Sequence, residues 1–417
     1  MEKVLLVLGI IFLIYLANKL KQDLFSPAVI NLYWNSFFLI GAVVIFGGGL
    51  EWNYGGIVWI YLSMVMCLLG QLLGNKIVWR IKGKQEERIS NLWPLGLVIM
   101  VFLGLGSSFF YLRAYGYDVE DLFNYEVLLE INSAIAYDRY YGHRVEIPSI
   151  SIALNAVAYS ACLCGGYLCN YAKSMPAKFF TLLTFVPIFV QTMINNAKVG
   201  FIASVFLWGT GWIISYLRTR RQSMRLTIKL GLVVGVLAII GLIFLDFIML
   251  LRIGTIDWET QQEVNGKMLT YAFGQVYSFC VWFPQCLNEE CGFGTNTFMA
   301  IADWIGITVR VQGIYDVIEG ADSNVFTQNR GLIADFGVLG AQIYWFFLGI
   351  IGSIAYRRVI TGEDKTRISV LLLSSIIFSI LYGFIISPWV YTSYIFAFVG
   401  FGCVLLVLKY FKISIRR

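Results

Sequence analysis

Long apolar segments recur along the whole chain and are separated by polar connections of unequal length. The hydrocarbon core of a bilayer is roughly 30 Å thick and is crossed by about 20 apolar residues in a helix. Windows of that length with few charges predict eleven transmembrane helices, an all-α fold and a single transmembrane domain over residues 1–417. The predicted spans lie near residues 3–18, 28–48, 55–74, 92–112, 149–171, 177–195, 198–217, 230–251, 331–356, 368–386 and 388–408.

Composition agrees with a polytopic membrane protein. Hydrophobic residues make up 59% of the chain and charged residues 13%, and the mean hydropathy is +0.74, which excludes a soluble globular class. The first apolar segment is followed directly by Lys19 and Lys21, with no small-residue cleavage site. We therefore interpret it as a retained helix and not as a signal peptide.

The distribution of basic residues predicts the orientation. Most of the 31 Lys and Arg residues fall in alternate connections and in the C-terminal tail, and basic loops are retained in the cytoplasm. The N-terminus is therefore predicted outside and the C-terminus inside. Residues 268–283 are apolar enough to cross, but a crossing would turn Arg357 and Arg358 outward, so an interfacial or re-entrant segment is predicted there. The net charge of +6 follows from topology and indicates no nucleic-acid partner.

The long polar segments lie on the predicted external side, in a smaller loop at 113–148 and a large loop at 252–330. The sequence contains no glycine-rich phosphate loop, no HExxH and no GxSxG, which argues against a nucleotide-driven pump. The CLCGGYLC run at 162–169 has apolar spacers and indicates a helix in lipid and not a zinc site. The three external cysteines, Cys280, Cys286 and Cys291, leave one disulfide open without fixing its connectivity.

Scarce cations on the external side are the first candidate site residues. Arg252, Arg310 and Arg330 lie in an otherwise acidic loop, and a guanidinium matches the oxygens of a phosphate group. Each could instead pair with a nearby carboxylate. Lys198 lies in the tight hairpin between the sixth and seventh spans, where it could bind substrate or snorkel at the membrane boundary.

Two further candidates could act in proton transfer. Asp335 lies just inside the ninth span, where a carboxylate is costly; it could pair with Arg330 or accept hydrogen bonds as a purely structural group. His143, the only histidine, is either a general base or incidental. Tyr140 lies in the segment 137–141, whose rings could stack on a sugar and whose carboxylate could accept from sugar hydroxyls.

Three short motifs resemble a known family. In residues 320–340, GADSNVFTQNRGLIADFGVLG, an S-N-V-x-T element precedes a D-F-G-x-x-G helix start. Residues 292–301, GFGTNTFMAI, and the hairpin INNAKVGFIA at 194–203 add to the likeness. Together they resemble the oligosaccharide repeat-unit polymerases of the Wzy type, which build O-antigen and capsule.

The resemblance implies a metal-independent and cofactor-free glycosyltransferase of the bacterial cytoplasmic (inner) membrane. Its donor and acceptor would be polyprenyl-diphosphate-linked oligosaccharides within membrane lipid, and a flippase and a chain-length regulator would be its partners. Arg310, Arg330 and Lys198 would stabilise the leaving diphosphate, and Asp335 or His143 would orient or deprotonate the acceptor hydroxyl. The alternatives are an O-antigen-type ligase and a flippase or transporter for the lipid-linked sugar. The remaining substrate-binding candidates are Arg252, Asn324, Thr327 and Tyr140.

Overall fold

A computed structural model of the chain describes most of its length. The described residues are 2–20, 22–46, 52–77, 93–141, 145–195, 198–220, 258–288, 291–309, 325, 327–362 and 367–410. Within them the chain forms helices and no strand. The α-helices are α1 (Glu2–Lys19), α2 (Pro27–Phe46), α3 (Tyr54–Lys76), α4 (Trp93–Ala114), α5 (Tyr125–Tyr141), α6 (Ser149–Cys169), α7 (Met175–Leu182), α8 (Val186–Asn195), α9 (Lys198–Arg220), α10 (Trp258–Trp282), α11 (Met299–Trp304), α12 (Gln328–Thr361), α13 (Ile368–Tyr382) and α14 (Thr392–Tyr410).

Seven of the described helical segments are long and apolar enough to cross a membrane. The coarser prediction, an all-α multi-pass membrane protein, is therefore supported, whereas the count of eleven spans is not confirmed. In α1, α13 and α14 the described apolar stretches are Val7–Lys19, Ile368–Tyr382 and Thr392–Leu408, and residues 230–251 lie outside the described residues. The seven segments are Pro27–Phe46, Tyr54–Lys76, Trp93–Ala114, Ser149–Cys169, Met175–Asn195, Lys198–Arg220 and Gln328–Thr361.

The chain divides into two compact units, and the first contains the described residues of 1–85 and 267–391. Its centre is the contact between α3 and α12, where glycines bring the two backbones together. A Cβ atom at Gly70 would lie 2.0 Å from the carbonyl oxygen of Phe346, and one at Gly349 would lie 2.1 Å from that of Cys67. Close approach at small residues is the usual way in which helices pack in lipid, because no hydrophobic force drives them together there.

The second unit contains the described residues of 86–220, 258–266 and 392–410. Here α6 and α9 cross at Gly166 and Gly211, where added Cβ atoms would lie 1.8 Å from the carbonyl oxygen of Trp208 and 2.2 Å from that of Leu163. The CLCGGYLC run thus forms the packed part of a helix, as its apolar spacers predicted, and its glycines make the crossing. Both units consist of apolar helices, so this division does not test the prediction of a single transmembrane domain.

The smaller predicted loop at 113–148 contains an ordered helix, α5. Ile131 and Ile135 of α5 are buried against Leu112 at the end of α4 and Ile194 at the end of α8. The amide of Asn132 donates to the carbonyl oxygen of Met193 at 2.9 Å, which fixes α5 on α8. The segment is therefore part of the folded second unit.

Residues 268–283, predicted as interfacial or re-entrant, lie mostly in the continuous helix α10, which is not among the seven candidate spans. From Lys267 onward this helix belongs to the first unit, where Val276, Phe279 and Cys280 are buried. All eight cysteines are free thiols, so no disulfide joins Cys280, Cys286 or Cys291.

Two glycines of α9 offer a matched test of the packing between α6 and α9. Gly211→Ala should lower the unfolding temperature in detergent, because its methyl group would overlap the carbonyl oxygen of Leu163 and overpacking costs about 1–3 kcal/mol. Gly209→Ala, on the same helix with nothing within 4 Å of its added Cβ, should leave the temperature unchanged or raise it. Thermal unfolding followed by size-exclusion chromatography measures both, and equal temperatures would contradict the close crossing.

Candidate functional site

The first turn of α12 is held in a strained conformation by the chain around it. Thr327 has φ 59° and ψ 147°, a region that β-branched residues rarely adopt, and its hydroxyl caps the helix by accepting from the N–H of Arg330 at 3.3 Å. The N–H groups of Thr327 and Gln328 donate to the carbonyl oxygens of Ile385 and Gly383 at 2.9 and 2.7 Å. Backbone strain of this kind persists only where surrounding contacts impose it, and it is common at functional sites.

Arg330 lies in the first turn of α12, with its guanidinium over the indole ring of Trp282 at 5.0 Å from the ring centroid. The ring is buried at 1% exposure, whereas Arg330 is only partly buried. A guanidinium on an aromatic face is held by the ring quadrupole and keeps its hydrogen-bond donors directed around its edge. Trp282 thus positions a cation at the end of α10.

Asp335 is fully buried and accepts hydrogen bonds on both carboxylate oxygens. Its Oδ1 accepts from the backbone N–H and the side-chain amide of Asn296 at 2.9 and 3.0 Å, and its Oδ2 accepts from the N–H of Thr297 at 2.5 Å. Of the two alternatives that the sequence left open, the described contacts are those of a hydrogen-bond acceptor, and the catalytic role of Asp335 stays a prediction. The carboxylate ties the segment before α11 to α12, and Arg330 is engaged by Trp282.

The helix α12 is interrupted immediately after Asp335. Gly337 has φ 70° and ψ 172°, which breaks the helical hydrogen-bond ladder and is a conformation that glycine adopts without a steric penalty. The carbonyl oxygens of Ala334 and Asp335 accept instead from the N–H groups of Gly292 and Phe293, at 2.8 and 3.0 Å. The segment 291–298 therefore replaces the helix's own donors at the break, as backbone within an apolar environment requires.

A cleft opens beside the first turn of α12, entirely within the first unit. It encloses about 480 Å³, counting the space open to solvent. Its wall combines aromatic rings with side-chain amides and, among the described residues, carries no charged group. The polar and aromatic lining residues are Trp34, Asn35, Phe38, Gln275, Phe279, Thr327, Gln328, Asn329, Trp345 and Phe384.

One amide in this cleft has an unused donor. Gln275 is buried at 3% exposure, and its Nε2 has no hydrogen-bond partner within the described part of the chain. The neighbouring amides are engaged: Asn329 accepts from Trp345 Nε1 at 3.2 Å, and Gln328 accepts from Ser379 at 3.2 Å. A buried donor without a partner is costly, so Gln275 indicates that a polar ligand or water completes this wall.

The other predicted residues are distributed as follows. Arg330, Asp335 and Thr327 come together at the start of α12, in the first unit. Lys198 begins α9 in the second unit, three residues after the helix that packs on α5 ends, and Tyr140 lies in the last turn of α5. Tyr117, which was not predicted as a site residue, lies between α4 and α5, and partial burial and the Glu130 carboxylate raise the pKa of its phenol. The predicted residues His143, Arg252, Arg310 and Asn324 lie outside the described residues.

The cleft amides were not predicted as site residues. Asn35 lies inside the apolar run of α2, and Gln275 lies inside the apolar run at 268–283. An amide within an apolar run is the signal that could have identified them, since a polar side chain needs a partner where water is excluded. In the described part of the chain no three His, Cys, Asp or Glu side chains could hold a metal ion, and metal independence stays a prediction.

Comparison with known proteins gives no relative: no family model, no curated protein and no solved structure matches the chain.

The role of Asp335 can be tested by Asp335→Asn. An amide offers one acceptor oxygen in place of two, so at least one of the three donors loses its partner at a cost of about 1–3 kcal/mol. We expect faster hydrogen–deuterium exchange in residues 292–298 and a lower unfolding temperature. Unchanged exchange together with lost activity would instead assign Asp335 the catalytic role predicted from the sequence.

Proposed function

We propose that the protein is a membrane glycosyltransferase that polymerises polyprenyl-diphosphate-linked oligosaccharide repeat units into surface polysaccharide at the outer face of the cytoplasmic membrane. The observation that carries the proposal is the aromatic and amide-lined cleft at Thr327, Gln328 and Asn329, the three residues that precede Arg330. It lies next to the motif at 320–340, on which the resemblance to repeat-unit polymerases rests.

The cleft suits an uncharged sugar ring. Pyranose rings present apolar C–H faces to aromatic side chains and hydroxyl edges to hydrogen-bonding groups, and the wall offers both kinds of surface. Trp34, Trp345 and Phe384 supply rings, while Asn35 and Gln275 supply amides. The unused donor of Gln275 would be satisfied by a sugar hydroxyl or carbonyl oxygen.

Arg330 suits the charge that develops in the reaction. An acceptor sugar hydroxyl attacks the anomeric carbon of the donor, a new C–O glycosidic bond forms, and the bond from that carbon to the diphosphate oxygen breaks. The hydroxyl proton passes to a base, and polyprenyl diphosphate leaves with an added negative charge. A guanidinium held in place over Trp282 would stabilise this charge more in the transition state than in the ground state.

Chain-length analysis in cells tests the chemistry. In a strain that lacks this protein, the wild type should restore long polysaccharide, and Arg330→Ala should leave single lipid-linked units with activity reduced by about 10²–10³. Arg330→Lys, which keeps the charge and loses the planar fork, should restore intermediate lengths. Lys198→Ala and Arg310→Ala test the remaining predicted cations at matched membrane expression.

Arg113→Ala is the matched control, because its exposed salt bridge to Asp118 at 2.7 Å contributes little. Long chains made by Arg330→Ala would contradict the proposal. Repeat units trapped on the cytoplasmic leaflet in the strain without the protein would indicate a flippase. Full-length lipid-linked chains that are never transferred would indicate a ligase.

The cleft itself is tested by Gln275→Leu. Leucine removes a buried donor that has no partner, so the variant should be at least as thermostable as the wild type. Its polymer should nevertheless be shorter, because a contact to the sugar is lost. Gln342→Leu is the matched control: the Gln342 amide donates to the Trp59 carbonyl oxygen at 3.0 Å, so this variant should lose stability. Normal polymer length from a stable Gln275→Leu protein would exclude the cleft as a sugar site.

A further inference from the structure

A second polar cavity lies in the first unit, at the opposite end of α2, α3 and α12 from the cleft. It is formed where α2 begins, α3 ends and α12 approaches its last turn, and it encloses about 420 Å³, counting the space open to solvent. Nothing in the proposed polymerisation uses it. The lining groups that matter here are Gln22, Asp23, Gln71, Asn75, Tyr356 and Arg357.

One wall of this cavity is a completed network of amides. Gln71, at 1% exposure, donates to the side-chain oxygens of Gln22 and Ser26, both at 2.8 Å, and accepts from the N–H of Ala28 at 3.0 Å. Asn75 donates to Gln22 at 3.1 Å. A network in which each member is satisfied is rigid, so the cavity is preformed.

The cavity lining also carries groups that the network does not use. Tyr356 is buried at 4% exposure, and its hydroxyl has no hydrogen-bond partner within the described residues. The Asp23 carboxylate interacts with that hydroxyl, and the acceptor sites of the phenol oxygen have no partner within the described residues. Burying a hydroxyl unpaired is costly, which indicates a ligand at this position.

The cavity also holds opposite charges that do not meet. Arg357 donates to the backbone carbonyl of Asn75, and Asp23 lines the same cavity. Within the described residues no salt bridge connects these two side chains. A cavity with a carboxylate and a guanidinium held apart complements a ligand that carries a cation at one end and an anion at the other.

We propose that this cavity binds a phosphoethanolamine group, with its ammonium at Asp23 and the Tyr356 hydroxyl and its phosphate at Arg357. A guanidinium is the side chain best matched to phosphate oxygens, and an ammonium has three donors for a carboxylate and a phenol oxygen. The source is an aminophospholipid headgroup, because the cavity lies at the ends of three apolar helices, where the headgroup layer begins. Lys19 and Lys76 end helices at this same end of the unit.

Native mass spectrometry of the purified full chain tests the proposal. Phosphatidylethanolamine, phosphatidylcholine and phosphatidylglycerol with identical acyl chains are titrated separately. The ethanolamine lipid should bind at least about tenfold more tightly than the other two, because choline has no N–H donors and glycerol has no positive charge. Asp23→Asn and Arg357→Gln should each remove this preference.

Tyr356→Phe keeps the ring and its packing, so a folded variant that binds the ethanolamine lipid more weakly supports the assignment. Soluble glycerophosphoethanolamine distinguishes a lipid headgroup from a soluble phosphoethanolamine group as the ligand. At matched concentration it should not fill a lipid site, whereas it would fill a site for the soluble group. Equal binding of all three lipids, or a preference unchanged in both Asp23→Asn and Tyr356→Phe, would overturn the proposal.

Discussion

The first unit depends on one constraint, the satisfaction of backbone groups at the break in α12. A helix in an apolar environment cannot leave carbonyl oxygens unpaired, and the Gly337 conformation frees those of Ala334 and Asp335. The segment 291–298 supplies the missing donors, and the buried Asp335 carboxylate fixes that segment in place. The break in α12 and the segment 291–298 therefore depend on each other. Both fix the position of the short first part of α12, which carries Arg330.

Each unit is also centred on a helix pair in close contact. In the first unit α3 and α12 meet at Gly70 and Gly349, and in the second α6 and α9 meet at Gly166 and Gly211. With the backbones this near, dispersion contacts replace the hydrophobic driving force that lipid does not provide. In the first unit this contact with α3 holds in place the long part of α12 that follows Gly337. The break at Gly337 then sets the direction of the shorter part that precedes it.

The sequence predicted what depends on local composition. Apolar windows located most helices correctly, and the apolar spacers of the CLCGGYLC run identified a packed helix. The sequence did not predict α5. The segment 113–148 is rich in acidic residues and was interpreted as a loop, although Ile131 and Ile135 have helical spacing.

The candidate site was predicted in part. Arg330 and Asp335 stand out as charges near an apolar run, but the partners of Asp335 lie almost forty residues earlier, and no local pattern indicates that contact. Gln275 and Asn35 reach one cleft through packing between distant helices, which single-sequence periodicity does not encode.

The order in which the chain is synthesised determines when the segment 291–298 can form its contacts. Residues 291–298 leave the ribosome before α12, so the donors for the break exist before the carbonyls that need them. The hydroxyl of Ser387 donates to the carbonyl oxygen of Thr297 at 2.7 Å, across ninety residues of chain. Because this contact cannot form until residue 387 has been made, it is added to the segment after α12 and α13 have been synthesised. A nascent chain stopped before residue 387 would carry the helix break without the contact that closes it.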